Sequence, residues 1–563
     1  MTSRRVIPVL LIAAALLATG CRKSGQTRAD PTAPAGDGLV ESDYVSRQPD
    51  VFNAFDVRQI FGPESTGHAS HGVDSAVLID TVSLQPALIS TVEGDVVGEL
   101  SYTAFVGLER QPNDRFIPVY RWVSEGGQYA VATDSAWVPA EEQQCYNFPK
   151  CDAITFTYEN RQVVELAIAY QWREDEDADW DIGVTRLRWV SEEYGEITYA
   201  DLSDAPDARP EDLFNDDGYA PGFDELNPDL AYQPINRDIY LVYSDYEQGP
   251  DPYSSVHLKY RRYLRAWQSW GAEYWCAWHQ FPLSEEGIKE AHNAWHPRID
   301  VGLVDGVFGS NDTMGVGIAY TAQFYDKTTF HVHVFYWASE SEFDFHKYPG
   351  VGTTQMLCLA NPTYMDNYAG MPYIDISPGP QNLEDNYGSI VYAQVVGNDL
   401  YGNILEIWEI NSLRNTWQRV TTDVDNWADG LYPSIAIHYV SYGGVFPHRA
   451  SVTYFRQQAN QPDAWYPWIV QLGLDPYEDP VPDPIVDERV VLLPTDPNEP
   501  PYLDVPPIDG IYNTDQIPFV YPGAATAISA TEGSFYWAAW CDAMHMEPAP
   551  NAVYAAWGRA TQY

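Results

Sequence analysis

A short apolar segment ending in an aromatic recurs along this chain at an interval of about seventy residues. It reads Leu100-Ser101-Tyr102, Ile168-Ala169-Tyr170, Leu241-Val242-Tyr243 and Ile318-Ala319-Tyr320, then Ile390-Val391-Tyr392, Val452-Thr453-Tyr454 and Ala538-Ala539-Trp540. The intervals between the aromatics are 68, 73, 77, 72, 62 and 86 residues. A second segment follows 14 to 20 residues later: Arg121-Trp122-Val123-Ser124-Glu125 returns as Arg188-Trp189-Val190-Ser191-Glu192 and, varied, as Tyr336-Trp337-Ala338-Ser339-Glu340. Looser copies centre on Tyr263, Trp408, Trp468 and Trp557. A third segment opens most repeats with a proline and alternating apolar residues, as in Pro297 to Val301, Pro372 to Ile376 and Pro433 to Ile437. Pro86, Pro149 and Pro522 open more degenerate copies, and Pro228 or Pro234 a weaker one.

A fixed period makes each repeat one supersecondary unit that buries its apolar faces against its neighbours. Each unit holds three or four short alternating strands separated by polar, Gly- or Pro-bearing turns. Proline at the first residue of a strand removes no ladder hydrogen bond. Sandwich domains need about 100 residues each, so seven of them do not fit. Radial repetition does fit, and the expected fold is all-β: a seven-bladed β-propeller of four-stranded antiparallel blades. The repeats fall at roughly 84–145, 146–225, 226–293, 294–369, 370–430, 431–480 and 518–563 within one domain, 51–563. The Pro/Asp-rich stretch 481–517 reads as an inserted loop. The last repeat supplies only three strands before Tyr563, so an N-terminal strand, Ala76 to Asp80, is expected to complete it. Helical periodicity is confined to Ser284 to Asn293, read as one short helix.

The N-terminus reads as an address. Arg4 and Arg5 precede an apolar run from Val6 to Leu17, too short to span a bilayer and right for a signal peptide. The run ends in Ala18-Thr19-Gly20-Cys21, which resembles the lipobox of bacterial lipoproteins. That resemblance implies cleavage after residue 20, acylation of Cys21 and attachment to a bacterial membrane, facing the periplasm or the cell surface. Residues 21–50 then form a tether, because the stretch Arg22 to Gly38 is rich in small and polar residues with little to bury. Export permits disulfides. Cys145 and Cys151 bracket Pro149 and are the candidate pair, while Cys276, Cys358 and Cys541 read as buried thiols in strands.

Eighty acidic residues against 31 basic ones give a formal charge of −49. Removing Arg4 and Arg5 takes the mature chain to about −51 (−49 minus 2). Such a surface excludes nucleic acid as a partner and leaves the lipid as the only attachment to a membrane. Aromatics reach 14% of the chain, with 40 Tyr and 19 Trp, which suits both cross-strand packing and carbohydrate contact.

In the fifth repeat Asn411-Ser412-Leu413-Arg414-Asn415-Thr416-Trp417 follows a strand. Ser412, Thr416 and Trp417 resemble the Asp-box of sialidase-like propellers, in which Ser-x-Asp-x-Gly-x-Thr-Trp joins the third and fourth strands of a blade. The central Asp and Gly are missing, and Tyr263 to Trp267 is a poorer echo. The resemblance implies a propeller and, among its members, glycan hydrolases and adhesive receptors. An Asp-box is a structural turn, so it carries no catalytic residue onto this chain.

Asp152, Asp300 and Asp375 stand three residues past an opening proline, at equivalent places near one mouth of the channel. Arg298 shares a strand face with Asp300. Carboxylates beside an arginine suit acid–base attack on a glycosidic bond, or oxygen ligation of a cation such as calcium, or plain hydrogen bonding between strands. The acid run Glu174 to Asp181 offers Asp175, Asp177, Asp179 and Asp181 as metal ligands on the same face, with a solvated loop as the plainer reading. His331 and His333 alternate on one strand without a third ligand. No phosphate loop, GxSxG elbow or HExxH motif occurs. The function expected is recognition of a glycan or an envelope protein through exposed aromatics on the loop face. A glycoside hydrolase using the channel carboxylates and a scaffold within an envelope assembly are the alternatives.

Overall fold

The computed structural model describes strands between Arg58 and Arg559, together with residues 178–180, 233–238, 265–268, 271 and 273. All of them belong to the larger of two units, Val40–Tyr563. The leader, Cys21 and the tether lie outside the described residues, as do Asp175 and Asp177. Among the described residues no helix is long and apolar enough to cross a membrane.

Every described element is a strand, and the strands form antiparallel meanders in chain order. The first sheet holds Ala76–Leu84, Tyr102–Arg110, Phe116–Ser124 and Ser135–Ala136. The second holds Cys145–Tyr158, Arg161–Arg173, Asp181–Glu192 and Glu196–Thr198. In the third, Phe223–Tyr232, Ile239–Glu247 and Ser255–Leu264 are followed by Ser269–Trp270 and Tyr274–Trp275, which share the fourth place. The fourth holds Ile288–Val304, Thr313–Phe324, Phe330–Ser339 and Gln355–Cys358. One parallel pair, Val256 with Asn293, joins the third to the fourth, and Asn293 Oδ1 accepts the Val256 N–H at 2.9 Å. The fifth holds Ala369–Ser377, Tyr392–Asp399, Ile404–Asn411 and Thr416–Thr421. The sixth holds Gly430–Tyr439, His448–Gln458, Gln461–Leu474 and Ile485–Val491. The last joins Thr526–Ala530, Phe535–Asp542 and Ala552–Arg559 to Arg58–Phe61. The first strand of each sheet lies against the first strand of the next, and Ala76–Leu84 lies against Thr526–Ala530.

The recurring aromatic is a core residue. Tyr170, Tyr243, Tyr320 and Tyr454 are fully buried on the second strands of their sheets. These strands are buried on both faces: Leu166, Ala167, Ile168, Ala169 and Tyr170 are all sealed from solvent. That explains their continuous apolar run where alternation was expected. Between the second and third sheets Ala167, Ala169, Ile182 and Val184 pack on Leu230, Leu241 and Tyr243. Burial of each such side chain contributes roughly 1.5–3 kcal/mol. Gly183 lies opposite Tyr170, and a Cβ there would come within 2.6 Å of its ring.

The structure corrects several expectations. An N-terminal strand does join the last sheet, but it is Arg58–Phe61, with Arg58 opposite Ala555. Ala76–Leu84 pairs instead with Tyr102–Arg110, its neighbour in sequence, which closes a far shorter loop. Pro149, Pro228, Pro297, Pro372 and Pro433 lie inside their strands, at bulges, while Pro86 and Pro522 lie outside the described residues. Register skips from Asn147 to Lys150, Leu226 to Asp229, Trp295 to Arg298, Gly370 to Tyr373 and Leu431 to Ser434. Phe148, Asn227 and His296, each just before proline, take φ of 45°, 52° and 48°. A bulge leaves its extra residue without a ladder partner, and proline has no N–H to strand there. Pro228 holds the bulge in the third sheet, and Pro234 lies in the turn beyond it.

Ile288 to Asn293 is strand and not helix, and Asn293 is drawn into the parallel link. Part of the expected insertion, Ile485–Val491, is the fourth strand of the sixth sheet. Cys145 and Cys151 lie on one strand opposite Arg173 and Ile168. Five residue steps on the partner strand put them on the order of 16 Å apart, well beyond a disulfide.

Candidate functional site

Beyond their bulges the first strands of the second to fifth sheets are edges, and an edge leaves alternate N–H groups unpaired. Asp152 accepts the N–H of Ala153 at 2.8 Å on one oxygen and that of Tyr232, from the next sheet, at 2.6 Å on the other. Asp300 repeats this with Val301 at 2.8 Å and with Ile376 of the next sheet. Asp229 accepts the N–H of Ile299 at 2.8 Å. Three consecutive sheet boundaries are therefore stitched by a carboxylate reaching forward to its neighbour's edge.

Burial pushes Asp152 well above the usual carboxylate range, and Asp300 and Asp229 push it further, while the Tyr232 N–H opposes them. Asp300 is raised by burial and restrained by the Ile376 and Val301 N–H groups and by a hydrogen bond with Asp375. The sequence candidates Asp152, Asp300 and Asp375 are thus brought together. Asp152 and Asp300 hold strand edges with both oxygens, which leaves them poorly placed to act as a free acid or base.

Arg298 lies 5.2 Å from the Tyr373 ring centroid and Lys150 Nζ 5.9 Å from it. His296 is buried beside them. Burial, then Arg298 and Lys150, pull it down to about 3, so it is neutral at physiological pH. The arginine expected beside Asp300 serves a cationic, aromatic cluster at the bulges.

A second polar cluster fills one end of the boundary between the second and third sheets. Glu165 is 1% exposed. Tyr232 Oη donates to its Oε1 at 2.9 Å, Arg265 Nη2 donates to the same oxygen, and Arg186 Nη1 stands 3.8 Å away. Arg186 Nη2 donates to Tyr263 Oη at 2.9 Å. Arg237 and Arg265 both lie over the Phe156 ring, at 4.1 and 5.1 Å.

This clasp supports two exposed turns. Asp238 Oδ1 accepts the Arg265 N–H at 2.9 Å, and Asp238 Oδ2 accepts from Arg262 Nε at 2.8 Å. Residues 265–268 form the turn between the third and fourth strands, locked by Gly271 N–H to the Arg262 carbonyl at 2.8 Å. Trp267 stands on that turn 76% exposed, and Ile235 on the adjoining turn is 53% exposed. The aromatic is held out to solvent by a framework that is itself fixed.

The remaining candidates are scattered. Asp179 is exposed and Asp181 begins a strand; among the described residues no three His, Cys, Asp or Glu side chains form a ready metal cage. His331 and His333 fall on Phe330–Ser339, opposite Ala322 and Tyr320. Asn411 ends one strand and Thr416 starts the next, so residues 412–415 join the third and fourth strands of the fifth sheet. Glu165, Arg186, Asp229 and Arg265 were not singled out in the sequence. Asp229 had a signal, because it follows Pro228 directly and alternation puts it on the face that Asp152 uses.

No protein family and no curated protein matches the chain. Among solved structures it is similar to a protein of unknown function from Dyadobacter fermentans, with 10% identity over 75% of this chain and 97% of that one and a TM-score of 0.36. It is similar to the sialidase of Trypanosoma rangeli at 7% identity, over 76% of this chain and 56% of the sialidase, with a TM-score of 0.35. It is also similar to the alpha-L-arabinofuranosidase of Fusarium graminearum, solved with arabinobiose, at 11% identity, over 77% and 97% of the two chains, with a TM-score of 0.28.

Proposed function

We propose that this chain is an exported recognition module: a seven-bladed β-propeller, held at a bacterial membrane by acyl chains on Cys21, that binds a glycan or an envelope protein through its loop surface. The ring arrangement is supported by the succession of first strands, each against the next, with Thr526–Ala530 against Ala76–Leu84. Carboxylates that cap the inner edges of neighbouring sheets are what radial repetition needs.

The observation that carries the binding role is Trp267. It is a large rigid aromatic, 76% exposed, on a turn fixed by Asp238, Arg262 and Arg265. An aromatic presented this way loses little entropy on contact and offers a flat face to a sugar ring or an apolar side chain. The hydrolase alternative needs free carboxyl groups, whereas Asp152 and Asp300 each commit both oxygens to backbone N–H groups.

The test is a broad glycan panel read by mass spectrometry for both retained and cleaved sugars. Retention without cleavage supports recognition. Cleavage makes the chain an enzyme and overturns it.

A further inference from the structure

The boundary between the second and third sheets ends, on the side away from Trp267, in a buried excess of acid. Glu225 and Asp245 face each other as a directly paired couple on adjacent strands, 7% and 2% exposed. Directly opposed residues have Cβ atoms about 4.5–5.5 Å apart. The charges acting on Glu225 are three carboxylates, of Asp245, Asp181 and Glu273, and one ammonium, Lys259. Lys259 Nζ is already committed, at 2.7 Å to Asp245 Oδ2 and 2.7 Å to Glu273 Oε1. Glu273 takes a further hydrogen bond of 2.5 Å from Tyr243 Oη. Two sets of oxygens remain. Asp245 Oδ1 is buried with no hydrogen-bond partner. The Glu225 carboxyl accepts no side-chain hydrogen bond from any described residue.

The backbone holds the acid run against this pair. Glu225 N–H donates to the Trp180 carbonyl at 2.8 Å, and Trp180 N–H donates to Asp224 Oδ1 at 2.9 Å. Asp181, the next residue, enters the charge environment of Glu225 from the neighbouring sheet. Arg173, 4.6 Å from the Trp180 ring, pins the connection from its own sheet.

We propose that Glu225 and Asp245 bind a hard divalent cation, Ca²⁺ or Mg²⁺, through Asp245 Oδ1 and the Glu225 carboxylate, with water completing the shell. The buried, unpaired Asp245 Oδ1 is costly, and a hard cation satisfies it while taking the adjacent Glu225 carboxylate as a second ligand. Mg²⁺ in particular keeps several of its waters and is held through one or two carboxylates, so a full protein cage is not required. Asp181 adds charge from the second sheet, so the bound ion ties the two sheets together at their loop end.

The experiment is calorimetric titration of the full chain with CaCl₂ and with MgCl₂ at physiological salt. The wild type is compared with Glu225→Gln, Asp245→Asn and Asp179→Asn. Gln has the shape of a protonated Glu, so Glu225→Gln keeps the fold, which its melting curve checks. The expected result is about one specific equivalent of one of the two ions, lost in both Glu225→Gln and Asp245→Asn and kept in Asp179→Asn. The same number of equivalents in wild type and Glu225→Gln, or no specific binding of either ion in the wild type, overturns the proposal.

Discussion

Asp152 Oδ2 accepts the backbone N–H of Tyr232 at 2.6 Å, across 80 residues of sequence and from one sheet to the next. The same carboxylate holds the N–H of its own successor, Ala153. Asp300 does the same with Val301 and Ile376. Each aspartate fixes its own strand and its neighbour's edge in one bond pair.

Replacing Asp300 with alanine strands the N–H groups of Val301 and Ile376. A buried donor left unmade costs about 1–3 kcal/mol. Asp300→Ala should lower the urea midpoint by a matching amount, and Asp152→Ala should do likewise. An unchanged midpoint in both would mean that these bonds hold nothing.

Glu165 is a stronger case, because it is a buried anion facing Arg265 and Arg186. Glu165→Ala removes the acceptor of Arg265 Nη2 and of Tyr232 Oη. Removing one partner of a buried pair costs about 3–5 kcal/mol. The turn carrying Trp267 should loosen with it, read as faster amide exchange at residues 265–268. Normal exchange there would disconnect the clasp from the turn.

Gly183 lies against Tyr170, and a Cβ there would sit 2.6 Å from the ring. Gly183→Ala should therefore destabilise the second sheet by about 1–3 kcal/mol through overpacking. A neutral result would show that the Tyr170 ring can shift.

Stability should respond to pH on both sides of neutrality. Glu225 is raised from its ordinary 4.5 to about 9, so the folded state holds a proton that the unfolded state gives up. Its contribution is full below about pH 4.5 and is lost as pH rises towards 9. His296 is lowered from 6.5 to about 3, chiefly by burial, so its contribution is present above 6.5 and is lost as pH falls towards 3. Metal-free Glu225→Gln should flatten the alkaline limb of a melting-temperature profile, and His296→Gln the acidic limb. An alkaline limb unchanged in Glu225→Gln would contradict the buried carboxyl.

The repeated tyrosines were legible because one burial demand recurs, and Tyr170, Tyr243, Tyr320 and Tyr454 meet it identically. Asp152 and Asp300 were legible by their offset from a proline. Hydrogen bonding between strands was one of the readings open to them, but their partners were not legible, because Tyr232 and Ile376 lie 80 and 76 residues away. The prolines misled on strand starts, since a bulge and a strand terminus tolerate proline for the same reason: neither needs its N–H. Glu165, Arg186 and Arg265 belong to no local pattern. Their meeting is made by the packing of two sheets, and the same packing sets Glu225 beside Asp181. The exposed turn at Trp267 did stand out, as a weak echo of a strand-joining motif.

The most direct test sets the wild-type chain beside Trp267→Ala on one glycan panel, with retained and cleaved sugars both read by mass spectrometry. Retention by the wild type without cleavage is expected, with roughly tenfold weaker retention by Trp267→Ala and the same melting temperature for both. Cleavage of any glycan, or equal retention by the two proteins, would contradict the recognition role.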